Sequence, residues 1–111
     1  MTGVQHDHRV AREEIFGPVL AVMPYDDLDE VAAWANDPPY GLGASIWSNN
    51  LSKVHRLIPT IPAGTVWVNC YDVFDAGAPF GGFKMSGIGR ELGAAALNNY
   101  TELKTVTVSL D

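Results

Sequence analysis

The chain has 111 residues, a net charge of −6 and 47% hydrophobic residues. That length holds one domain, that apolar share suits a packed core rather than disorder, and that acidity argues against nucleic acid or an anionic membrane as partner. No apolar run nears the ~20 residues a membrane helix needs, residues 1–8 lack the apolar core of a signal peptide, and a single cysteine, Cys70, precludes an internal disulfide, so a cytoplasmic setting is expected.

Strand-like and helix-like patterns alternate along the chain. Val19-Leu20-Ala21-Val22-Met23 follows Gly17-Pro18 as a short apolar run and reads as a buried strand. Asp27 is placed to cap the next helix, and Glu30 to complete a capping box. Leu28, Val31, Ala32 and Ala35 share one face of that helix, and Asn36-Asp37-Pro38-Pro39 stops it. Ala44-Ser45-Ile46-Trp47 reads as a second strand, with the next cap in Ser48-Asn49-Asn50. Leu51, Val54, Ile58 and Ile61 share a helical face. An interior proline costs a helix about 3 kcal/mol, so Pro59 is expected to end or kink this one near Ile58. Thr65-Val66-Trp67-Val68-Asn69 is the third strand and the richest in strand-forming residues.

This order implies an α/β fold with a three-strand parallel βαβαβ core and right-handed crossovers. Such a sheet needs cover on both faces, and two helices are too few to supply it. Past Cys70 the glycines 77, 81, 82, 87 and 89 indicate loop. A helix is expected at about 90–100. In the closing segment Val106, Val108 and Leu110 alternate with Thr105, Thr107 and Ser109, the pattern of a half-buried strand with an edge free to pair.

Taken alone, these residues carry little chemistry. His6, His8 and His55 lack metal-ligand spacing, and no metal is expected. Asp26, Asp27, Asp29 and Glu30 cluster at a helix start, where acidic groups offset the dipole. Cys70 closes an apolar strand, as small core cysteines do. The paired glycines suit turns better than a phosphate site.

Three longer motifs say more. Arg12-Glu13-Glu14-Ile15-Phe16-Gly17-Pro18 resembles the glutamate-containing motif of NAD(P)-dependent aldehyde dehydrogenases. Gly64-Thr65-Val66-Trp67-Val68-Asn69-Cys70-Tyr71 is similar to the last core strand of that family. The run from Pro79 through Phe80-Gly81-Gly82-Phe83-Lys84-Met85-Ser86-Gly87-Ile88-Gly89-Arg90 to Glu91 resembles the family's C-terminal loop. The three occur in family order, and the resemblance covers residues 12–110. Pro59 and His8 depart from the family pattern.

The resemblance implies a partial catalytic domain at 12–103, preceded by an extension at 1–11 and followed by an oligomerisation strand at 104–111. By the same resemblance Glu14 would hold the nicotinamide ribose hydroxyls of NAD or NADP, and Phe16 would pack beside the nicotinamide. Asn69, Asp72, Phe74 and Phe80 would line the aldehyde pocket, and Glu91 would serve a proton relay. Arg90, Glu102, Val106 and Val108 would lie at a subunit interface. The family's nucleophilic cysteine, deacylating glutamate and dinucleotide loop lie upstream of these motifs. No catalytic nucleophile or base is therefore assigned here, and Cys70 is not given that role. The implied reaction is oxidation of an aldehyde to a carboxylic acid, with turnover by this chain alone not expected. The expected partners are an aldehyde and either further copies of the chain or a full-length aldehyde dehydrogenase. The alternative is a non-enzymatic module whose closing strand pairs with such a relative, and a third reading is a truncated product that folds poorly.

Overall fold

The computed structural model describes residues 1–111. Three helices and two short sheets are laid out in the order α1 (Arg9–Arg12), α2 (Leu28–Asn36), β1 (Tyr40–Gly41), β2 (Gly43–Ile46), α3 (Leu51–Leu57), β3 (Thr65–Val68) and β4 (Phe83–Lys84), α1 being a single turn. Short 3-10 turns cover Ile58–Thr60 and Ala94–Asn99.

Local chemistry sets the central elements. The Asp27 carboxylate accepts from the N–H groups of Asp29 and Glu30, as an N-cap should. Glu30 reaches back to the N–H of Asp26, one residue before the cap. Asn50 caps α3 by accepting from the Lys53 N–H at 3.1 Å. The helix stops at Leu57 and tightens into the 3-10 turn that contains Pro59, as the missing proline N–H requires. β2 and β3 run parallel, with Ser45 opposite Trp67 and Ile46 opposite Val68. The core forms where α3 crosses this pair: Ile46, Val54 and Leu57 are buried, with Leu28, Ala32, Ile58, Ile61, Val66 and Val68 around them. Leu57 takes the inward place expected of Leu51, which is exposed.

Three expectations are corrected. The three-strand core is a parallel pair, because residues 19–23 join no sheet. That segment instead meets the N-terminus, where the Val22 N–H donates to the Met1 carbonyl and the Met1 amino group to that of Leu20. An apolar groove of about 740 Å³, lined by Val22, Tyr25, Val31, Trp34 and Trp47 among others, separates it from β2. Nothing in the chain fills that space. The helix at 90–100 shortens to the 3-10 turn Ala94–Asn99. Leu92 and Gly93 take left-handed φ values of 60° and 56°, and the main chain of Glu91 is committed to Phe80. Residues 104–110 form no strand and are exposed throughout, since a strand needs a partner edge and none is within reach.

Only six of the 111 residues are buried, far fewer than a domain with this apolar content hides. The radius of gyration is 18.9 Å, against the ~13 Å of a compact domain of about 100 residues. Apolar side chains that the sequence marks as interior, including Leu20, Val22 and Leu110, face outward. No helix is long and apolar enough to cross a membrane.

Candidate functional site

The first candidate region is the turn after α1. Arg9 and Glu13 pair at 2.7 Å, and hydrogen bonding to the Arg9 guanidinium holds the Glu13 carboxyl below its ordinary range. Arg12 turns the other way, to Asp37 at 3.0 Å. Glu14 is left with no hydrogen-bond or ion-pair partner among the side chains around it. Glu14 lines two cavities, one of about 510 Å³ reaching to Gly41, Pro62 and Ser86, the other of about 260 Å³ shared with Phe16. Phe16 is 93% exposed and holds a left-handed φ of 54°. Such a backbone costs an aromatic residue roughly 1–3 kcal/mol, and it presents the ring to the open side of the turn.

The second region begins where β3 ends. Asn69 and Asp72 also adopt left-handed φ values, 53° and 58°. Asn69 is clamped to Ser48 twice: its Oδ1 accepts from the Ser48 N–H at 2.9 Å, and its Nδ2 donates to the Ser48 carbonyl at 3.1 Å. The Asn69 amide is thus spent on tying β3 to the chain leaving β2. Asp72 is exposed. The Phe74 and Phe80 rings meet edge to face at 5.0 Å. Phe80 and Glu91 exchange two main-chain hydrogen bonds of 2.7 Å, and Glu91 is exposed. Arg90 donates to the Gly82 carbonyl at 3.0 Å and lies 5.0 Å over the Phe83 ring. Cys70 is a free thiol, and its carbonyl accepts from the Ser45 hydroxyl.

The predicted site residues therefore fall into two groups. Glu14 and Phe16 share a cavity, and Phe74, Phe80 and Glu91 share a loop cluster. Neither cavity at Glu14 includes Asn69, Asp72, Phe74 or Phe80. Glu102, Val106 and Val108 lie in the exposed tail, away from both. Two structural residues escaped the sequence reading. Lys84, at a φ of 51°, donates to the carbonyls of Asn36 and Pro38 and so fastens the loop to the end of α2. Trp67, the one buried aromatic, was visible only as the bulkiest residue of the strongest strand.

A profile described as the aldehyde dehydrogenase family matches residues 1–106. The chain belongs to the aldehyde dehydrogenase family. It is 55% identical over 108 residues to rat retinaldehyde dehydrogenase 3, covering 97% of this chain and 21% of that protein. The human mitochondrial aldehyde dehydrogenase is 52% identical, covering 96% of this chain and 21% of that protein. Among solved structures, an NAD+ complex of a Bacillus cereus aldehyde dehydrogenase superposes with a TM-score of 0.92 at 50% identity, over 98% of this chain and 22% of that one. A mutant of the P. syringae indole-3-acetaldehyde dehydrogenase, solved with NAD+ and IAA, gives 0.91 at 52% identity, over 97% of this chain and 22% of that one. The chain thus spans about one fifth of the length of these aldehyde dehydrogenases. Its backbone follows the matching fifth of those solved chains.

Proposed function

We propose that this chain is the C-terminal wall of an aldehyde dehydrogenase, contributing to cofactor binding, the aldehyde channel and subunit assembly in an enzyme that oxidises aldehydes to carboxylic acids. One observation carries the reading. An unpartnered Glu14 carboxylate sits beside the exposed, left-handed Phe16 on a backbone that matches NAD+-bound relatives. The pair suits NAD or NADP. A free carboxylate accepts two hydrogen bonds from a vicinal diol, and an exposed ring offers a flat apolar face to a nicotinamide. When bound, the dinucleotide supplies the hydride acceptor.

On this reading Glu14 holds the ribose and Phe16 limits the tilt of the nicotinamide. Phe74 and Phe80 wall the aldehyde channel, with Asn69 and Asp72 at its mouth. Glu91 stands beside that wall as a proton relay. The nucleophile and the deacylating base come from outside these residues. Cys70 is not the nucleophile, because it lies just past β3 and no group is placed beside it to activate it. Residues 12–103 form the catalytic-domain portion and residues 1–11 flank it. Residues 104–111, unpaired in the isolated chain, become the assembly strand by addition to a second subunit's sheet, with Val106 and Val108 on it and Glu102 and Arg90 before it at that interface. A reducing, cytoplasmic compartment suits the lone free thiol.

The test is a full-length hybrid in which this chain replaces the matching segment of the P. syringae relative. We expect the hybrid to form NADH from NAD+ and indole-3-acetaldehyde within about tenfold of the parent rate, a loss of about 1.4 kcal/mol in the barrier at most. A soluble hybrid that binds NAD+ but forms no NADH overturns the proposal.

A further inference from the structure

The Phe74–Phe80 pair does not stand by itself. Behind it lies Trp67, on β3, whose indole makes three linked contacts. Its Nε1–H donates to the Val73 carbonyl at 2.8 Å. Its ring meets Tyr71 edge to face at 5.5 Å and Phe74 at 5.8 Å, the latter at an interplanar angle of 89°. The ring fits only because β2 carries no side chain at Gly43, where a Cβ would come within 2.8 Å of the indole. The segment it holds needs holding. Asn69 and Asp72 are both left-handed, and such conformations persist where the surroundings over-determine them. Asn69 is fixed by its clamp on Ser48. Beyond Asp72, the indole donor is the side-chain bond that ties the Val73 main chain to the sheet.

We propose that Trp67 is a positioning residue that sets the width of the aldehyde channel by holding Phe74 in place through the Val73 carbonyl and the edge-to-face stack. This rests on the reading of Phe74 and Phe80 as channel wall. Trp67 touches no reacting atom. Its effect is on selectivity, because a fixed Phe74 ring offers a flat face to a bulky aryl aldehyde and matters little to a short alkyl one. Trp67→Phe keeps an aromatic ring and removes the indole donor.

In the full-length hybrid, Trp67→Phe is expected to raise the KM for indole-3-acetaldehyde about fivefold, the scale of one lost neutral hydrogen bond. The kcat and the KM for acetaldehyde should stay within about twofold, a change smaller than that of one such bond. Amide hydrogen exchange should quicken at residues 72–75 and stay unchanged in β2 and β3. A residue that served stability alone would change both aldehydes together, and that result overturns the proposal. Phe74→Ala in the same hybrid separates the two levels. If Phe74→Ala raises the aryl KM and Trp67→Phe does not, the positioning role fails and the channel reading stands. If Phe74→Ala leaves the aryl KM unchanged, the channel reading fails and takes the positioning role with it. Should Trp67→Phe prove insoluble, Gly43→Ala pushes the indole from the neighbouring strand. It should reproduce the aryl-selective rise, and equal effects on both aldehydes would count against the proposal.

Discussion

A hybrid carrying Gly64→Ala should lose its C-terminal loop, seen as a much lower thermal midpoint or as loss of soluble protein. A Cβ at Gly64 would lie 1.5 Å from the Gly81 carbonyl oxygen and 2.7 Å from its carbon. The obstacle is main chain, so no rotamer change relieves it. The loop cannot simply retreat either. The Gly82 carbonyl accepts from Arg90, Lys84 is fastened to the end of α2, and the Ser86 hydroxyl accepts from the Gly41 N–H at 2.9 Å. Ordinary overpacking costs about 1–3 kcal/mol. A clash between two main chains should exceed that range, at about 3–5 kcal/mol. Because the displaced loop carries Phe80 and Glu91, aldehyde oxidation should fall with stability. A soluble Gly64→Ala hybrid with an unchanged midpoint would show that the loop packs differently.

Glu14→Gln should act on the cofactor and leave the fold intact. The exposed side chain supports no other residue, so its replacement should not move the thermal midpoint. Hydrogen bonds to a charged group contribute about 1.5–3 kcal/mol. Their loss should raise the KM for NAD+ about 10- to 100-fold, at 1.4 kcal/mol per tenfold, with the aldehyde KM little changed. Glu13→Gln is the internal control. It lies next in sequence, but its carboxylate is already engaged by Arg9, so the KM for NAD+ should hold. Equal effects of the two substitutions would remove Glu14 from the ribose.

How much of this was legible in the sequence follows from the reach of the interactions. The cap at Asp27 bonds to residues two and three positions away, and the end of α3 is set by a proline two residues on. Both could be read locally. Residues 19–23 are an apolar run and residues 104–110 alternate, as strands do, but a strand is completed by a partner: the first segment meets only Met1 and the second joins no sheet. The helix expected near residue 90 failed for a different reason. Its first residues have good propensities, yet the bridge between Phe80 and Glu91 and the left-handed Leu92 and Gly93 take up the backbone it needed.

The candidate site divides in the same way. Glu14, Phe16, Phe74 and Phe80 were found through motif resemblance, since no spacing rule marks an exposed glutamate or a loop phenylalanine. That Glu14 alone among Glu13, Glu14 and Arg12 lacks a partner became visible only in three dimensions. So did the clamp of Asn69 on Ser48 and the reach of Trp67 to Val73. The small residue at Gly43 was the nearest signal of that contact, and it has meaning only once the parallel register of β2 and β3 is known.

On this reading the chain supplies walls and not the reacting groups of an aldehyde dehydrogenase. The deciding measurement incubates the purified 111-residue chain with NAD+ and an aldehyde and follows the absorbance of NADH. We predict none above the rate without protein, both for the chain and for Cys70→Ala. NADH formation that persists in Cys70→Ala would show that the chain carries its own reacting groups, and formation that vanishes in that variant would make Cys70 the nucleophile.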